Sequence, residues 1–117
     1  MGRFLQALNA LDEAGLSACF TQDATVFLPT VQAGRVSGKV AVDRIFHDYV
    51  ETTRKRTAST NIVPQDLRIE VADQLALASF TVTGADTIAR RSFVFRSVGG
   101  NWLISHFHAS NLKPPAQ

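Results

Sequence analysis

Gly99-Gly100-Asn101-Trp102-Leu103-Ile104-Ser105-His106-Phe107-His108-Ala109-Ser110 is the stretch that decides the fold of this chain. A Gly-Gly-Asn turn feeds a run with strand periodicity, in which successive side chains face opposite sides. On that period Trp102, Ile104, His106 and His108 share one side, and Leu103, Ser105, Phe107 and Ala109 the other. Rings or branched carbons stand on both, so neither side reads as plainly wet. Such a strand belongs inside a sheet with helices on one face and a partner on the other.

Working outward, the same period recurs. Residues 87–97 alternate, with Arg91, Phe93 and Phe95 on one face and Arg90, Ser92, Val94 and Arg96 on the other. Gly84-Ala85-Asp86 turns back to a strand over 75–83, and Ala72-Asp73-Gln74 turns to one over 66–71 carrying Leu67, Ile69 and Val71 on one face. Before the polar linker 57–61 the period becomes helical. Val42, Ile45, Phe46, Tyr49, Val50 and Thr53 form one face of a helix over 40–54. Residues 30–39 read as loop, and 24–28 as a short strand stopped by Pro29. Phe4, Leu5, Leu8 and Leu11 mark a first helix; Leu16, Cys19 and Phe20 mark a second, capped by Asp12, and Asp23 reads as a turn. Helices followed by an antiparallel meander make an α+β domain. The expected division is one domain over 1–112 and a loose tail over 113–117.

Composition narrows the function classes. The chain has 117 residues, 45% hydrophobic and 19% charged, enough to bury a core without metals or disulfides. A formal charge of +2 does not suggest nucleic acid, and Arg54-Lys55-Arg56 sits where cations answer a helix C-terminus. One cysteine permits no internal disulfide, and no run approaches membrane-spanning length, so a soluble cytoplasmic protein is expected. Eight Phe against one Tyr and one Trp imply a greasy interior or pocket.

The order of elements, together with Phe27-x-Pro29, Gly34, Val36, Gly38, Pro64 and Gly100-Asn101-Trp102-x-Ile104-x-His106-Phe107-His108-x-Ser110, resembles the nuclear transport factor 2-like superfamily. The nearest branches are SnoaL-like proteins and the association domain of calcium/calmodulin-dependent protein kinase II. The resemblance implies a cone-shaped, cystatin-like roll with helices packed on a strongly curved sheet. It also implies a homodimer through one sheet face, including Trp102, His106 and His108, and a deep pocket on the other. The association domain's pocket arginines fall at positions held here by Phe93 and Ala109, so its binding of small acids does not transfer directly. Arg91, two residues before Phe93, is a replacement at the pocket rim or else a solvated or interface charge.

The chemical candidates are few. His106 and His108 share a strand face as metal ligands can, but zinc asks for a third donor, so no metal and no cofactor is expected. Acid–base chemistry has Tyr49 and His47 as its candidates, without an assigned carboxylate. Asp66 and Glu70 share the polar face of their strand and read as solvated. The expected pocket is lined by Leu8, Phe20, Phe46, Tyr49, Phe93, Leu103, Ser105 and Phe107, with Arg91 as polar handle for a small, mostly hydrophobic ligand or acid. An isomerase, dehydratase or polyketide-cyclase type of enzyme and a pure oligomerisation module are the alternative readings.

Overall fold

The computed structural model describes residues 1–29 and 34–113. Two short helices, α1 (Gly2–Asn9) and α2 (Glu13–Ser17), lead into strand β1 (Phe20–Phe27). A two-residue strand β2 (Val36–Ser37) and the long helix α3 (Lys39–Arg54) follow. The meander is β3 (Gln65–Ala72), β4 (Leu75–Thr83), β5 (Ile88–Val98) and β6 (Asn101–Leu112). The strands form one six-stranded sheet in the order β2-β1-β6-β5-β4-β3, with every pair antiparallel except β1 with β6. The α+β class and the curved sheet under helices are therefore as expected. No described helix is long and apolar enough to cross a membrane.

Local chemistry sets the helix ends. Asp12 accepts the amide of Gly15 at 3.0 Å and so caps α2. Leu11 holds a left-handed φ of 54°, which turns the chain out of α1 while its side chain stays fully buried. Its carbonyl accepts from Arg54 Nη2 at 2.8 Å, tying the end of α1 to the end of α3. Lys39 Nζ donates to the Ser17 carbonyl, fixing the start of α3 against α2. Val42, Phe46, Val50 and Thr53 are the buried stripe of α3, at helical spacing.

Two irregularities correct the sequence expectation. β1 begins at Phe20, not near Ala24, so Phe20 belongs to the sheet and not to the second helix. Asp23 is a strand residue: its carboxylate accepts from Thr21 at 2.8 Å and from Arg96 at 2.7 Å. Side-chain bonds hold this irregular half of β1, where the register against β6 jumps between Phe20 and Thr25. The second irregularity is a bulge in β6. Val94 lies opposite His106, but Phe95 lies opposite Ile104, so Ser105 is one residue too many. Its hydroxyl donates to the Val94 carbonyl at 3.2 Å.

The bulge changes which side chains share a face. Phe107 and Ala109 oppose Phe93 and Arg91, while Ile104 opposes Phe95, so Ile104 joins the buried inner face. Trp102, two residues earlier, follows Ile104 to that side and is 42% exposed beyond the helices. Leu103, His106 and His108 point to the outer face. The expected grouping of Trp102 with the two histidines is thus broken by one inserted residue. In the single chain His108 is exposed on the outer face, the side on which a partner was expected to cover β6. Of the tail expected over 113–117, all but Lys113 lies outside the described residues, as does part of the loop expected over 30–39.

Candidate functional site

Between α1, α3 and the inner face of the sheet lies a cavity of about 560 Å³. Its floor is aromatic. Phe93 and Phe107 stack with centroids 4.6 Å apart, because their strands place them directly opposite each other. Phe80 stacks on the other side of Phe93 at 5.8 Å. Phe4, from α1, meets Phe93 edge-on at 5.1 Å and also touches Phe20 and Phe46. Each such ring pair contributes about 0.5–1.5 kcal/mol beyond its burial, so this wall is rigid.

α3 and the turn after it supply the second wall. Ile45, Tyr49 and Thr52 line the cavity as a single stripe beside the buried one, and Arg56 follows in the turn. The rim is closed by the linker after α3, through Asn9. Its side chain donates to the Ile62 carbonyl at 3.1 Å and accepts from the Ile62 amide at 2.7 Å and the Thr60 hydroxyl at 2.9 Å. Ile62 is thereby held against the opening it lines.

Arg91 is the main polar group on the sheet side. It stands opposite Ala109, whose small side chain leaves room for the guanidinium to fold over the β5–β6 ladder. Nη1 donates to the carbonyls of Arg90 and Ser110, both at 3.0 Å, and to Asn111 Oδ1 at 3.3 Å. Among the described residues, Nε and Nη2 have no hydrogen-bond partner and no carboxylate forms an ion pair with the group. Burial lowers its pKa, an effect that nearby Tyr49 opposes. Tyr49 is half-buried on the facing wall, and its hydroxyl also has no hydrogen-bond partner among the described residues. Thr52, Arg56 and the exposed Asp48 complete the polar lining contributed by α3 and the residues just after it.

Of the residues expected from sequence, Leu8, Phe46, Tyr49, Arg91, Phe93 and Phe107 line the cavity. Phe20, Leu103 and Ser105 do not. Phe20 is packed beneath, against Phe4 and Phe46. The bulge carries Leu103 to the outer face and commits Ser105 to a backbone bond. His47 lies outside the cavity on the helix surface, where Nδ1 bonds Glu13 at 2.6 Å and this contact raises its pKa. His106 and His108 stand on the outer face beside Phe27, with ring centroids at 5.7 and 5.6 Å. His106 bonds the Thr25 hydroxyl at 2.8 Å, and burial, Arg35 and His108 lower its pKa. Asp66 and Glu70 are exposed on β3. Phe4, Thr52, Ile62, Phe80 and Arg56 were not expected in the lining; Ile45 and Tyr49 stand on the helix face expected from sequence, whereas the approach of the linker has no local signal.

A family model described as the SnoaL-like domain matches residues 1–114, and the chain belongs to that family. Its fold is shared by an NTF2-like protein of unknown function from Pseudomonas putida, 25% identical, with a TM-score of 0.77 over 93% of this chain and 79% of that one. A member of the NTF2-like family from Streptomyces avermitilis, provisionally named a dehydratase, is 18% identical, with a TM-score of 0.79 over 97% of this chain and 91% of that one. A protein from Xanthomonas campestris, provisionally named a calcium/calmodulin-dependent protein kinase II association domain, is 20% identical, with a TM-score of 0.66 over 93% of this chain and 80% of that one. No curated protein matches the chain.

Proposed function

We propose that this chain is a small-molecule binding domain that takes one mostly apolar ligand with an anionic head into the cavity under α3. Arg91 carries the reading. Its Nε and Nη2 have no described protein partner, and it stands on an aromatic floor facing a Tyr49 hydroxyl in the same condition. A carboxylate seated there would gain charge-assisted bonds that water-poor surroundings strengthen. The apolar floor would receive the rest of the molecule. The test is calorimetric titration with decanoate and with decanol. Decanoate should bind more tightly, and Arg91→Met should cost it roughly tenfold while leaving decanol within about threefold. Equal losses for both, or none for decanoate, would remove Arg91 as the handle.

An enzymatic reading draws on the dehydratase-named relative and on Asp48 and Tyr49, which share the lining. It is the weaker one, because Asp48 is exposed and the three histidines stand outside the cavity. General acid–base work calls for a group poised beside the reacting atom in a dry site. The cytoplasmic, single-domain reading of residues 1–112 stays part of this proposal.

For self-association, we place the homodimer contact on the outer face of β4, β5 and β6. Leu77, Val94 and His106 lie in one row there, with Leu75, Arg96 and Leu103 in the next. Leu75 and Leu77 are 52% and 44% exposed, too much apolar surface for a solvated face. Val94→Glu should remove the association made through this face and so lower the assembly size in sedimentation velocity runs; an unchanged assembly size would move the contact elsewhere.

A further inference from the structure

β3 is an edge strand with no described strand on its outer side, and every one of its residues is exposed. Natural edge strands are usually blunted by charged side chains, proline, bulges or brevity, because unpaired peptide groups invite another strand. β3 runs from Gln65 to Ala72 without lysine or proline; its bulge is confined to its start, and Arg68 and Glu70 beyond it are of opposite sign. Leu67, Ile69 and Val71 are 43, 54 and 63% exposed on its inner side, continuing the rows of Ala78 and Ala76. Arg68 and Glu70 occupy the other side.

We infer that β3 is a seam along which two copies of this chain pair edge to edge, antiparallel and centred on Ile69, with Arg68 of each copy opposite Glu70 of the other. Charge and register carry this choice. A strand's peptide groups alternate between its two edges, so a symmetric antiparallel pair must place a residue opposite its own copy. Centring on Arg68 sets arginine against arginine and Asp66 against Glu70. Centring on Glu70 sets carboxylate against carboxylate. Centring on Leu67 runs half the contact through Gln65 and Asp66, where the strand bulges and Asp66 has a left-handed φ of 53°. Centring on Ile69 gives the opposite-charge pair on both sides of the axis. It also sets Leu67 against Val71 and uses the regular part of the strand. Opposite charges and branched side chains directly across an antiparallel pair are the favourable cross-strand partners. The seam is independent of the cavity and of the outer-face contact.

The experiment is cysteine cross-linking joined to charge reversal. Ile69→Cys should form an interchain disulfide readily, since residues on the axis face each other with Cβ atoms about 4.5–5.5 Å apart. Val71→Cys should not, because its counterpart is Leu67; the native Cys19 is buried and serves as background. In sedimentation runs Arg68→Glu and Glu70→Arg should each weaken concentration-dependent association roughly tenfold, and the doubly reversed chain should recover it. Adding Val94→Glu separates the two contacts: the Ile69→Cys disulfide should survive it. Equal cross-linking at the two cysteine positions, or association indifferent to both single reversals, would overturn the seam. So would a doubly reversed chain that remains as weak as either single variant.

Discussion

At the scale of single residues, charge placement sets the testable behaviour. Arg91 is half-buried without a carboxylate partner among the described residues, a desolvation cost that a bound anion would offset. Arg91→Met should therefore change the stability of the unliganded protein little in urea melts, relief of desolvation offsetting the lost bonds to the Arg90 and Ser110 carbonyls and Asn111 Oδ1. His47 works the other way, on the surface. Glu13 raises its pKa, so the pair contributes below the ordinary histidine value of 6.5 and is lost as pH rises through the raised value. The difference in melting temperature between the native chain and His47→Gln should shrink as the buffer moves from mildly acidic to alkaline. A constant difference would mean that protonation of His47 does not matter. His106 has the opposite sign: its lowered pKa makes the native state resist protonation, so its part of the stability falls as pH drops below 6.5.

At the scale of elements, short contacts between helices and linkers position the cavity. Asn9→Ala removes the partner of the Ile62 amide and of the Thr60 hydroxyl, and should cost about 1–3 kcal/mol in denaturant melts. The same substitution should weaken decanoate binding, because Ile62 is freed from the rim. At the start of α2, a Cβ on Gly15 would run into Asp12 Oδ2 and lie 2.9 Å from its Cγ. Alanine there gains about 1 kcal/mol of helix propensity but displaces a cap worth about the same. Gly15→Ala should thus be nearly neutral in the native background and more favourable once Asp12→Ala has removed the cap, by less than the full propensity gain because the new Cβ also lies 3.1 Å from Ala7 Cβ. A double-mutant cycle with no coupling between the two would contradict this account. The elements themselves were well marked in sequence. The strand over 75–83 and the long helix were expected within a residue of their ends, because period and turn residues agree there. The first half of β1 is hidden from a local reading because Asp23 has the chemistry of a turn, and its bond to the distant Arg96 joins it to the sheet.

At the scale of the whole molecule, the bulge at Ser105 divides the side chains of one strand between two faces. Phe107 and Ala109 serve the cavity, while Leu103, His106 and His108 face outward. Trp102 is the chain's one tryptophan and points to the helix side past the end of the core. Its fluorescence should stay accessible to acrylamide whether the outer-face dimer is intact or split by Val94→Glu. Quenching that appears only on dissociation would return Trp102 to the contact.

The sequence by itself determined the class of fold, the order of its elements apart from the short β2, and the Phe93–Phe107 half of the cavity floor. Periodicity reports which side chains share a face so long as the count is unbroken, and over Arg91, Phe93 and Phe95 it is. Tertiary structure decided what counting cannot see. One extra residue, Ser105, bulges from the ladder with its hydroxyl on the Val94 carbonyl, and that shifts Ile104 inward and Leu103 outward. Likewise Phe4, Ile62 and Phe80 meet around a common space only after the sheet has curved beneath α1 and α3. Such meetings depend on pairing between strands far apart in the chain, which no local pattern of residues encodes.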